Sequence, residues 1–520
     1  MPASEVFLIQ MPLAASEPSL ALAQLYAFLR REGIRAEVMD VSVELFQRHR
    51  KPGYNLWNEE TNAVWASEEL ASQILEADKG FIESRFLERI VSADQPVAGF
   101  SVSACSFAAS LIMARWIKSA RPDAKVVFGG QIFTTTPSTV ETILARPEVD
   151  AVAPGDGELT LAELAARGSG PGLFVRDSQG RPVSSGARAP LDLDRLPFAD
   201  FSQFDLSLYG TAQLGPHDLP LMASRGCVRH CSYCGHWTAW KGFRQMSGER
   251  VHAEIMHQRK HMPSLGFADS ELKFYDLLMN GDMRKLGRLA ELLAAEPGPK
   301  LPWKECNALI RPEMSYELCL KLREAGCRTL IIGLESGSQK VLDLMGKGQT
   351  VEQMKTVLKD IDRAGLKTRG NFMFGHPGET DEDFAATLDF LREMRPYIHQ
   401  VFPSYTLAHL DGPLLREPEK YGVAKGQDPL YWQSLDGRNT YPKRLERFRA
   451  FRELAQSLGM DMVDGLDMPM QAYLDFSMAG FHEYQGQPGQ ALERYRSYLK
   501  QDPTNEFALK RAESLAGSQA

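Results

Sequence analysis

Residues 219–236 read LPLMASRGCVRHCSYCGH and place Cys227, Cys231 and Cys234 in one short loop after an apolar stretch that predicts a β-strand. A loop of this kind brings soft thiolate ligands together at little cost in ordering entropy, which is typical of metal sites. The spacing C-x3-C-x2-C supplies three thiolates, whereas a structural zinc site has four ligands, and no second C-x2-C pair follows. The stretch therefore predicts a [4Fe–4S] cluster with one open iron; zinc binding and incidental cysteines are the alternatives.

Strand and helix patterns alternate on both sides of this loop. Over 216–415 six strand-like segments are separated by helical stretches, which predicts a partial (β/α)6 barrel of the TIM type with its active site at the C-terminal ends of the strands. These segments are LPLMAS, LKFYD, WKECNA, TLIIGLES, KTRGNFMFG and HQVFPSYT. Thr350 and Gln353 predict a capping box at the start of one helix, and Gly365 predicts its end.

The rest of the chain predicts two further units. Short apolar runs alternate with helical patterns over 1–190, which predicts a Rossmann-like parallel sheet covered on both faces. An irregular linker follows at 191–215. The segment 425–520 predicts a helical domain, and its part 479–508 carries the small, aromatic and proline positions of one tetratricopeptide-like hairpin. We expect a capping hairpin here, with a protein-binding surface as the alternative.

Composition narrows the classes of function. The 520 residues are 43% hydrophobic and 24% charged, which excludes intrinsic disorder and small disulfide scaffolds. The net charge of −8 gives no global basic field for nucleic acid. Seven cysteines are an odd and sparse count, which favours a reducing, cytoplasmic compartment. No targeting segment is evident, and the uncharged stretch 95–114 splits into a strand and a helix and so predicts no membrane span.

With these motifs in view, the sequence resembles the radical S-adenosylmethionine (radical SAM) family. Tyr233 occupies the aromatic position before the last cysteine, and the segments IIGLES and GHPGET resemble the family's strand-end series. The resemblance implies that the three cysteines hold a [4Fe–4S] cluster and that SAM binds its open iron. The SAM contacts that it implies are Tyr233, Gly235, Asp276, Asn307, Arg311, Glu335, Ser336, Arg369 and Asn371. Ordinary ion pairing within a barrel is the alternative for the charged members of this set.

A parallel sheet ahead of such a barrel resembles the cobalamin-binding subclass of the family. The stretches GGQIFTTTP and GDGELTLAEL are similar to the subclass's binding loops. The cobalamin contacts that this resemblance implies are Ser101, Ser103, Cys105, Gly129, Gly130, Gln131, Thr134, Gly155 and Glu158. The D-x-H-x2-G loop is missing and Gln131 stands where a histidine often follows GG, so no histidine from these loops would coordinate cobalt. A degenerate sheet that only packs against the barrel is the alternative.

The resemblance implies an enzyme that cleaves SAM to a 5′-deoxyadenosyl radical. We expect a cobalamin-dependent C-methyltransferase that acts on an unactivated carbon of a natural-product, peptide or lipid substrate, with a flavodoxin- or ferredoxin-type electron donor. Ring formation, ring contraction or oxidation without methyl transfer is the second hypothesis, and a non-enzymatic scaffold is a remote third. Methylthiolation would need three further N-terminal cysteines, and only Cys105 lies there.

Overall fold

The structure is a computed structural model of the 520-residue chain. The residues that it describes are 5–13, 17–49, 56–57, 62–209, 218–240, 242–261, 271–304, 306–463, 470–501, 503 and 505–517. Residues 210–215 of the predicted linker lie outside them. No helix in these ranges combines the length and apolarity that a membrane crossing requires.

The N-terminal part is built on a seven-stranded sheet with the order β2-β1-β3-β4-β5-β6-β7. The first five strands run parallel, and β6 and β7 form an antiparallel hairpin at one edge. The strands are β1 Glu5–Gln10, β2 Ala36–Asp40, β3 Pro96–Ser101, β4 Lys125–Gly129, β5 Ala151–Ala153, β6 Phe174–Arg176 and β7 Pro182–Ser184. In β1 the run from Val6 to Ile9 is fully buried, as expected for a strand that helices cover on both faces.

Helices cover both faces of this sheet. Ser19 caps the first of them by accepting a hydrogen bond from the backbone N–H of Leu22. The helices are α1 Leu20–Arg31, α2 Val41–His49, α3 Glu68–Ala77, α4 Lys79–Ile82, α5 Glu88–Ser92, α6 Phe107–Ala120, α7 Gln131–Thr135, α8 Thr139–Leu144 and α9 Gly157–Arg167. A π-helical segment, Glu83–Leu87, joins α4 to α5, and 3-10 turns lie at Asn62–Trp65, Leu193–Arg195 and Leu206–Leu208.

The central part is an arc of parallel strands that alternate with helices. The strands are β8 Asp218–Leu221, β9 Ser224–Arg225, β10 Arg244–Gln245, β11 Glu271–Phe274, β12 Trp303–Lys304, β13 Cys306–Ala308, β14 Thr329–Glu335, β15 Lys367–Phe374 and β16 Gln400–Tyr405. The helices are α10 His236–Ala239, α11 Gly248–His261, α12 Met283–Ala295, α13 Tyr316–Glu324, α14 Gln339–Met345, α15 Val351–Arg363 and α16 Asp381–Met394, with a 3-10 turn at Arg395–Tyr397. The short strands β9 and β10 form an antiparallel hairpin outside the arc.

The C-terminal part contains α17 Pro413–Arg416, α18 Tyr441–Ser457, β17 Asp461–Met462, α19 Met470–Tyr484, α20 Pro488–Leu499 and α21 Glu506–Gly517. Its first long helix, α18, covers the barrel, because Phe451 stacks on both Phe372 and Phe374 of β15. Strand β17 extends the barrel sheet beside β16. The C-terminal part is helical as predicted, with β17 as a two-residue strand within it. Helices α19 to α21 have a separate small core around Phe476.

Candidate active site

The three cysteines lie in a loop between β9 and α10. Gly226 opens this loop with a φ of +88°, and a Cβ at this position would lie 2.5 Å from the carbonyl oxygen of Gly242. Only glycine tolerates that combination of conformation and close approach. The turn therefore directs the chain sharply from the hairpin into the cysteines.

The three thiols interact with one another. Cys231 is buried, and burial raises the pKa of its thiol to about 11, with further contributions from Cys234 and Cys227. Burial also raises the pKa of Cys234, although the backbone N–H groups of His236 and Trp237 oppose this. The backbone N–H of Arg229 donates to Cys227 Sγ at 3.5 Å. N–H donors of this kind stabilise thiolates, as metal ligation requires.

The arrangement of thiols fits a cluster better than a single metal ion. Among the described residues, no three histidine, cysteine or carboxylate side chains are grouped closely enough to hold one ion. In a [4Fe–4S] cluster each cysteine binds a different iron, so the sulfurs need not converge on one point. Three cysteines within one loop match such a cluster with one open iron.

Turns from two later segments support the cysteine loop. The backbone N–H of Ser232 donates to Met345 O at 2.9 Å, and Arg229 Nη2 donates to Gly348 O at 2.8 Å. Nδ1 of His376 faces Pro377 O at 2.9 Å, which leaves Nε2 to accept from the Ser232 hydroxyl at 2.7 Å. Burial lowers the pKa of His376 to about 4, which agrees with this neutral, accepting ring.

A three-membered polar group lies beside the loop. Lys347 Nζ contacts Glu335 Oε1 at 2.6 Å, and Tyr233 donates its hydroxyl hydrogen to the same oxygen at 3.0 Å. Burial favours the neutral amine of Lys347, but Glu335 and the nearby thiols outweigh it and raise the pKa of Lys347 above its usual value. A Cβ at Gly333 would lie 2.5 Å from both Glu335 Oε1 and Lys347 Nζ. Gly333 therefore leaves the space that this pair occupies.

Two of the predicted strand-end residues brace the strand before the cysteines. Both carboxylate oxygens of Asp276 accept from the backbone N–H of Ala223 at 3.0 Å. Asn307 Nδ2 donates to Asp276 O at 2.9 Å. Burial raises the pKa of Asp276 to about 7, although hydrogen bonds from Ser224 and Ala223 oppose this. A SAM contact at either residue stays a prediction.

The remaining predicted SAM residues differ in how they are held. Arg311 Nη1 donates to Gly281 O at 2.7 Å, and Ser336 is buried against Thr387 at 2.9 Å. Gly235 lies against His409, whose Cγ would be 3.2 Å from an added Cβ. Contacts from these residues to SAM also stay predictions.

Asn371 and Arg369 share one face of β15 but lie at different positions along the strand. Buried Oδ1 of Asn371 has no hydrogen-bond partner among the described residues. Met373 follows on the same face and belongs to a small apolar cluster against which Tyr233 packs, so this face turns toward the cysteine loop. Arg369 lies near the start of the strand, where its Nε donates to Gln400 Oε1 at 2.8 Å. The predicted SAM contact at Arg369 stays a prediction, although active-site groups lie at the other end of the strands.

A cavity of about 510 Å³ lies between the N-terminal sheet and the barrel. Its sheet side is formed by loops at the C-terminal ends of the parallel strands, where such sheets bind ligands. Eight predicted cobalamin residues line it: Ser101, Ser103, Gly129, Gly130, Gln131, Thr134, Gly155 and Glu158. Cys105 is not among the described lining residues, and its predicted cobalamin contact stays a prediction. On the barrel side the cavity reaches Arg225 and Gly226, directly before Cys227.

The cavity wall suits a broad, neutral ligand. Its apolar members include Leu8, Leu25, Val102, Leu161, Met222, Trp240 and Leu277. A Cβ at Gly155 would meet no atom within 4 Å, so the loop leaves open space there. A cavity of this size is within the range of small-molecule and cofactor sites.

Several polar groups at the cavity already have protein partners. Thr134 Oγ1 accepts from the backbone N–H of Gly155 at 2.8 Å, and Ser103 is bonded to Ser106. The carboxylate of Glu158 is paired with Arg225, with 2.5 Å between Oε1 and Nη2. Both carboxylate oxygens of Glu158 face the guanidinium, and its predicted cobalamin contact stays a prediction.

Comparison with known protein families identifies the central part. Residues 221–391 match the family model described as Radical SAM superfamily. The chain contains a radical SAM domain. Over these residues the match agrees with the predicted superfamily, which implies a [4Fe–4S] cluster and SAM as cofactors.

Curated relatives match across the radical SAM domain and beyond it. An uncharacterised methyltransferase of Pyrococcus horikoshii is 26% identical over 317 residues, which are 58% of this chain and 65% of the relative. An anaerobic magnesium-protoporphyrin IX monomethyl ester cyclase of Rubrivivax gelatinosus is 25% identical over 54% of this chain and 51% of its own length. The cytidylyl-2-hydroxyethylphosphonate methyltransferase of Streptomyces wedmorensis is 25% identical over 60% of this chain and 64% of its own. The chain thus spans between half and two thirds of these relatives, whose names support the prediction of an enzyme.

Solved structures share the fold on both sides of the radical SAM domain. The radical SAM methyltransferase TsrM from Kitasatospora setae, with cobalamin and a [4Fe–4S] cluster bound, gives a TM-score of 0.62 at 17% identity and covers 95% of this chain and 100% of its own. The cobalamin-dependent radical SAM enzyme OxsB, with aqua-cobalamin bound, gives a TM-score of 0.62 at 14% identity. This match covers 99% of this chain and 83% of OxsB. At these identities the likeness is one of fold.

Sequence reasoning missed four side chains beside the radical SAM site: Arg225, Ser232, Lys347 and His376. Lys347 follows α14 in a turn, so no strand-end rule points to it. The GKG context around it was the available signal, because glycines on both sides allow a tight turn. His376 lies within the quoted GHPGET segment, but its contact with Ser232 is tertiary.

Proposed function

We propose that the chain is a radical SAM methyltransferase that uses cobalamin to methylate an unactivated carbon. The observation that carries the proposal is the adjacency of two sites. The cavity between sheet and barrel is lined by Arg225 and Gly226, and the next residue is the first cysteine of the cluster loop. A cofactor in the cavity would therefore lie beside the cluster and SAM.

When bound, a [4Fe–4S] cluster supplies the electron that breaks the sulfonium–C5′ bond of SAM, and cobalamin supplies the methyl group for the substrate carbon. The chain's own residues position these groups. Cys227, Cys231 and Cys234 hold the cluster. The Lys347 ammonium suits the SAM carboxylate, while the Glu335 carboxylate suits its amino group or ribose hydroxyls.

The remaining residues orient the ligands and exclude water. Asn371 Oδ1, buried without a partner among the described residues, is suited to accept from a ribose hydroxyl or the amino group of SAM. The apolar cavity wall leaves little water near a reactive carbon radical, which limits side reactions. We propose that the substrate is a natural-product, peptide or lipid molecule and that a flavodoxin- or ferredoxin-type protein delivers electrons.

The first test concerns SAM cleavage. Under anaerobic conditions with dithionite and reconstituted iron and sulfide, we expect the wild-type protein to release 5′-deoxyadenosine and Cys231→Ala to release none. Cys319→Ala is the matched control, because Cys319 is a buried core residue of α13. Wild-type rates in Cys231→Ala would contradict the cluster assignment.

The second test concerns cobalamin. We expect the wild-type protein to retain hydroxocobalamin through desalting, with the bound corrin visible by absorbance. No retention at saturating supply would remove the methyltransferase proposal. One relative is named a cyclase, so a radical reaction without methyl transfer is the second candidate. Transfer of label from methyl-labelled SAM to the product distinguishes the two.

A further inference from the structure

Four charged side chains join the sheet to the hairpin that leads into the cysteine loop. Asp156 precedes α9 and Glu158 lies in its first turn, while Arg225 and Arg244 stand opposite each other in the β9–β10 hairpin. Arg225 reaches Asp156 Oδ1 at 2.6 Å and Glu158 Oε1 at 2.5 Å. Arg244 Nη1 reaches Asp156 Oδ2 at 2.7 Å. We call these four residues the interdomain ion network.

The network is buried and balanced in charge. The side-chain exposures of Arg225, Asp156 and Glu158 are 11%, 8% and 3%. Two carboxylates face two guanidinium groups, and Arg225 Nε also lies 3.3 Å from Met222 Sδ. Arg244 additionally donates to Leu191 O at 3.0 Å, which ties in the linker. An unpaired charge in a buried position is costly. The ion pairs therefore hold the start of α9 and the β9–β10 hairpin in one mutual position.

Both halves of the network border the same cavity. On the sheet side Gly155, Gly157 and Glu158 line it, and on the barrel side Ser224 and Arg225 do. Arg225 is separated from Cys227 by Gly226 alone. A ligand that fixes the sheet loop therefore also fixes the residue from which the cysteine loop starts.

We propose that Glu158 and Arg225 are positioning residues that couple ligand binding in the cavity to SAM binding at the cysteine loop. The inference rests on the proposed function, in which the cavity ligand is cobalamin. Cobalamin that orders the loop 155–158 would order the hairpin through Arg225 and so tighten SAM binding. By linkage, SAM would tighten cobalamin binding by the same factor.

The experiment measures this coupling by binding in the full-length, cluster-reconstituted protein without reductant, so that SAM is not consumed. The Kd for SAM is determined with and without saturating hydroxocobalamin, and the Kd for hydroxocobalamin with and without SAM. We expect a coupling factor of at least about 5 in both directions for the wild-type protein. Glu158→Gln keeps the size of the side chain and removes its charge, and we expect its coupling factor to fall below about 2.

Two further variants make the test specific. Arg225→Lys keeps the charge but loses the two-pronged geometry, and we expect it to lose coupling as Glu158→Gln does. Glu163→Gln is the matched control, because Glu163 lies on the same helix but pairs with Arg188 outside the network. We expect Glu163→Gln to keep the wild-type factor. Iron content and circular dichroism establish that each variant is folded and loaded.

The outcomes separate the inference from the proposed function. Coupling near the wild-type value in both Glu158→Gln and Arg225→Lys would overturn the inference while cobalamin binding stands. A coupling factor of about 1 in the wild-type protein would also overturn the inference while cobalamin binding stands. A wild-type protein that binds SAM but no hydroxocobalamin would overturn the cobalamin proposal and the inference together.

Discussion

Glu335 holds a left-handed backbone conformation, with a φ of +64°, although it is not a glycine. Such a conformation costs about 1–3 kcal/mol and persists only where the surroundings require it. Here the register of β14 against β15 shifts between Gly333 and Glu335, which turns the carboxylate toward Tyr233 and Lys347. The strain thus places an acidic group beside the cysteine loop.

Asp276 gives a prediction of pH dependence. Burial raises its pKa from 3.8 to about 7, so the folded protein keeps a proton that the unfolded chain releases in this range. The stabilising contribution of this group is complete below the unfolded pKa and is lost as the pH rises through the folded pKa, by at most about 1.4 kcal/mol per pH unit. We expect the free energy of unfolding of wild type minus that of Asp276→Asn to fall between pH 5 and 7 and to level off above pH 8.

Urea unfolding of the apo-protein, followed by tryptophan fluorescence, measures this difference. Asp389→Asn is the control, because its side chain on α16 is 75% exposed. An equal difference at pH 5 and pH 8 would show that Asp276 does not titrate as its burial requires.

At the scale of single residues, one rule predicted the candidate active site from the sequence. Polar residues that close parallel strands share an edge of the sheet, which pointed correctly to Glu335 near the cysteines. The rule predicted a SAM contact equally for Arg369 and Asn371, although Arg369 lies nearer the start of β15. A strand boundary uncertain by two residues is enough to give both residues equal weight, because the alternation of side chains is the same for both.

At the scale of elements, α15 is tied to the turn that supports the cysteine loop. Thr350 accepts from the backbone N–H of Gln353, and Gln353 accepts from that of Thr350, which forms the predicted capping box. Just before the cap, Gln349 Nε2 donates to Gly333 O at 3.2 Å. The helix start therefore anchors the segment that includes Lys347.

Removal of this cap should loosen the segment. We expect Thr350→Ala to lower the free energy of unfolding by about 0.5–2 kcal/mol and to increase amide exchange in 345–353. Thr356→Ala is the control on the same helix, because Thr356 is exposed and its hydroxyl donates within the helix to Glu352 O. Hydrogen–deuterium exchange with mass spectrometry compares the two, and equal exchange in both would argue against the capping role.

Elements with strong periodicity were predictable from the sequence, whereas the division between β12 and β13 and the short strand β17 were not. The run TLIIGLE gave β14, since apolar and β-branched residues are continuous there. The stretch WKECNA was expected as one strand, but β12 and β13 pair in separate sheets. Strand β17 has two residues and no pattern to detect. Helix α18 was placed with the C-terminal unit because amphipathicity shows that a helix packs, but not against which partner.

At the scale of the whole molecule, the cavity depends on contacts that no local pattern encodes. Arg225 and Asp156 are 69 residues apart in sequence, and their meeting sets the position of sheet and barrel. The sequence predicted both folds and the loops at their edges. Neither the pairing of Glu158 with Arg225 nor the shape of the space between the units could follow from the residues alone.

The C-terminal helices give a prediction at this scale. Phe476 packs its ring against Tyr495 and Tyr498, with centroids 5.7 and 4.9 Å away, in a core separate from the main one. We expect Phe476→Ala to destabilise this hairpin by about 3–5 kcal/mol. Amide exchange should then rise within 470–517 and stay unchanged over 306–405.

Leu509→Ala is the control for this prediction, since Leu509 is 38% exposed on α21. It should leave exchange in the hairpin close to that of the wild type. Increased exchange in the barrel of Phe476→Ala would show that the hairpin and the barrel unfold together rather than as separate units.

The support of the cysteine loop by Met345 also bears on how the protein is made. Ser232 and Met345 are 113 residues apart in sequence, so the ribosome releases the three thiols well before their support exists. At about 5–20 residues per second the delay is roughly 6–23 seconds. During translation the cysteines are thus open to oxidants and to the machinery that delivers iron and sulfide. Cluster insertion into a finished loop can begin only after the segment around Met345 has emerged.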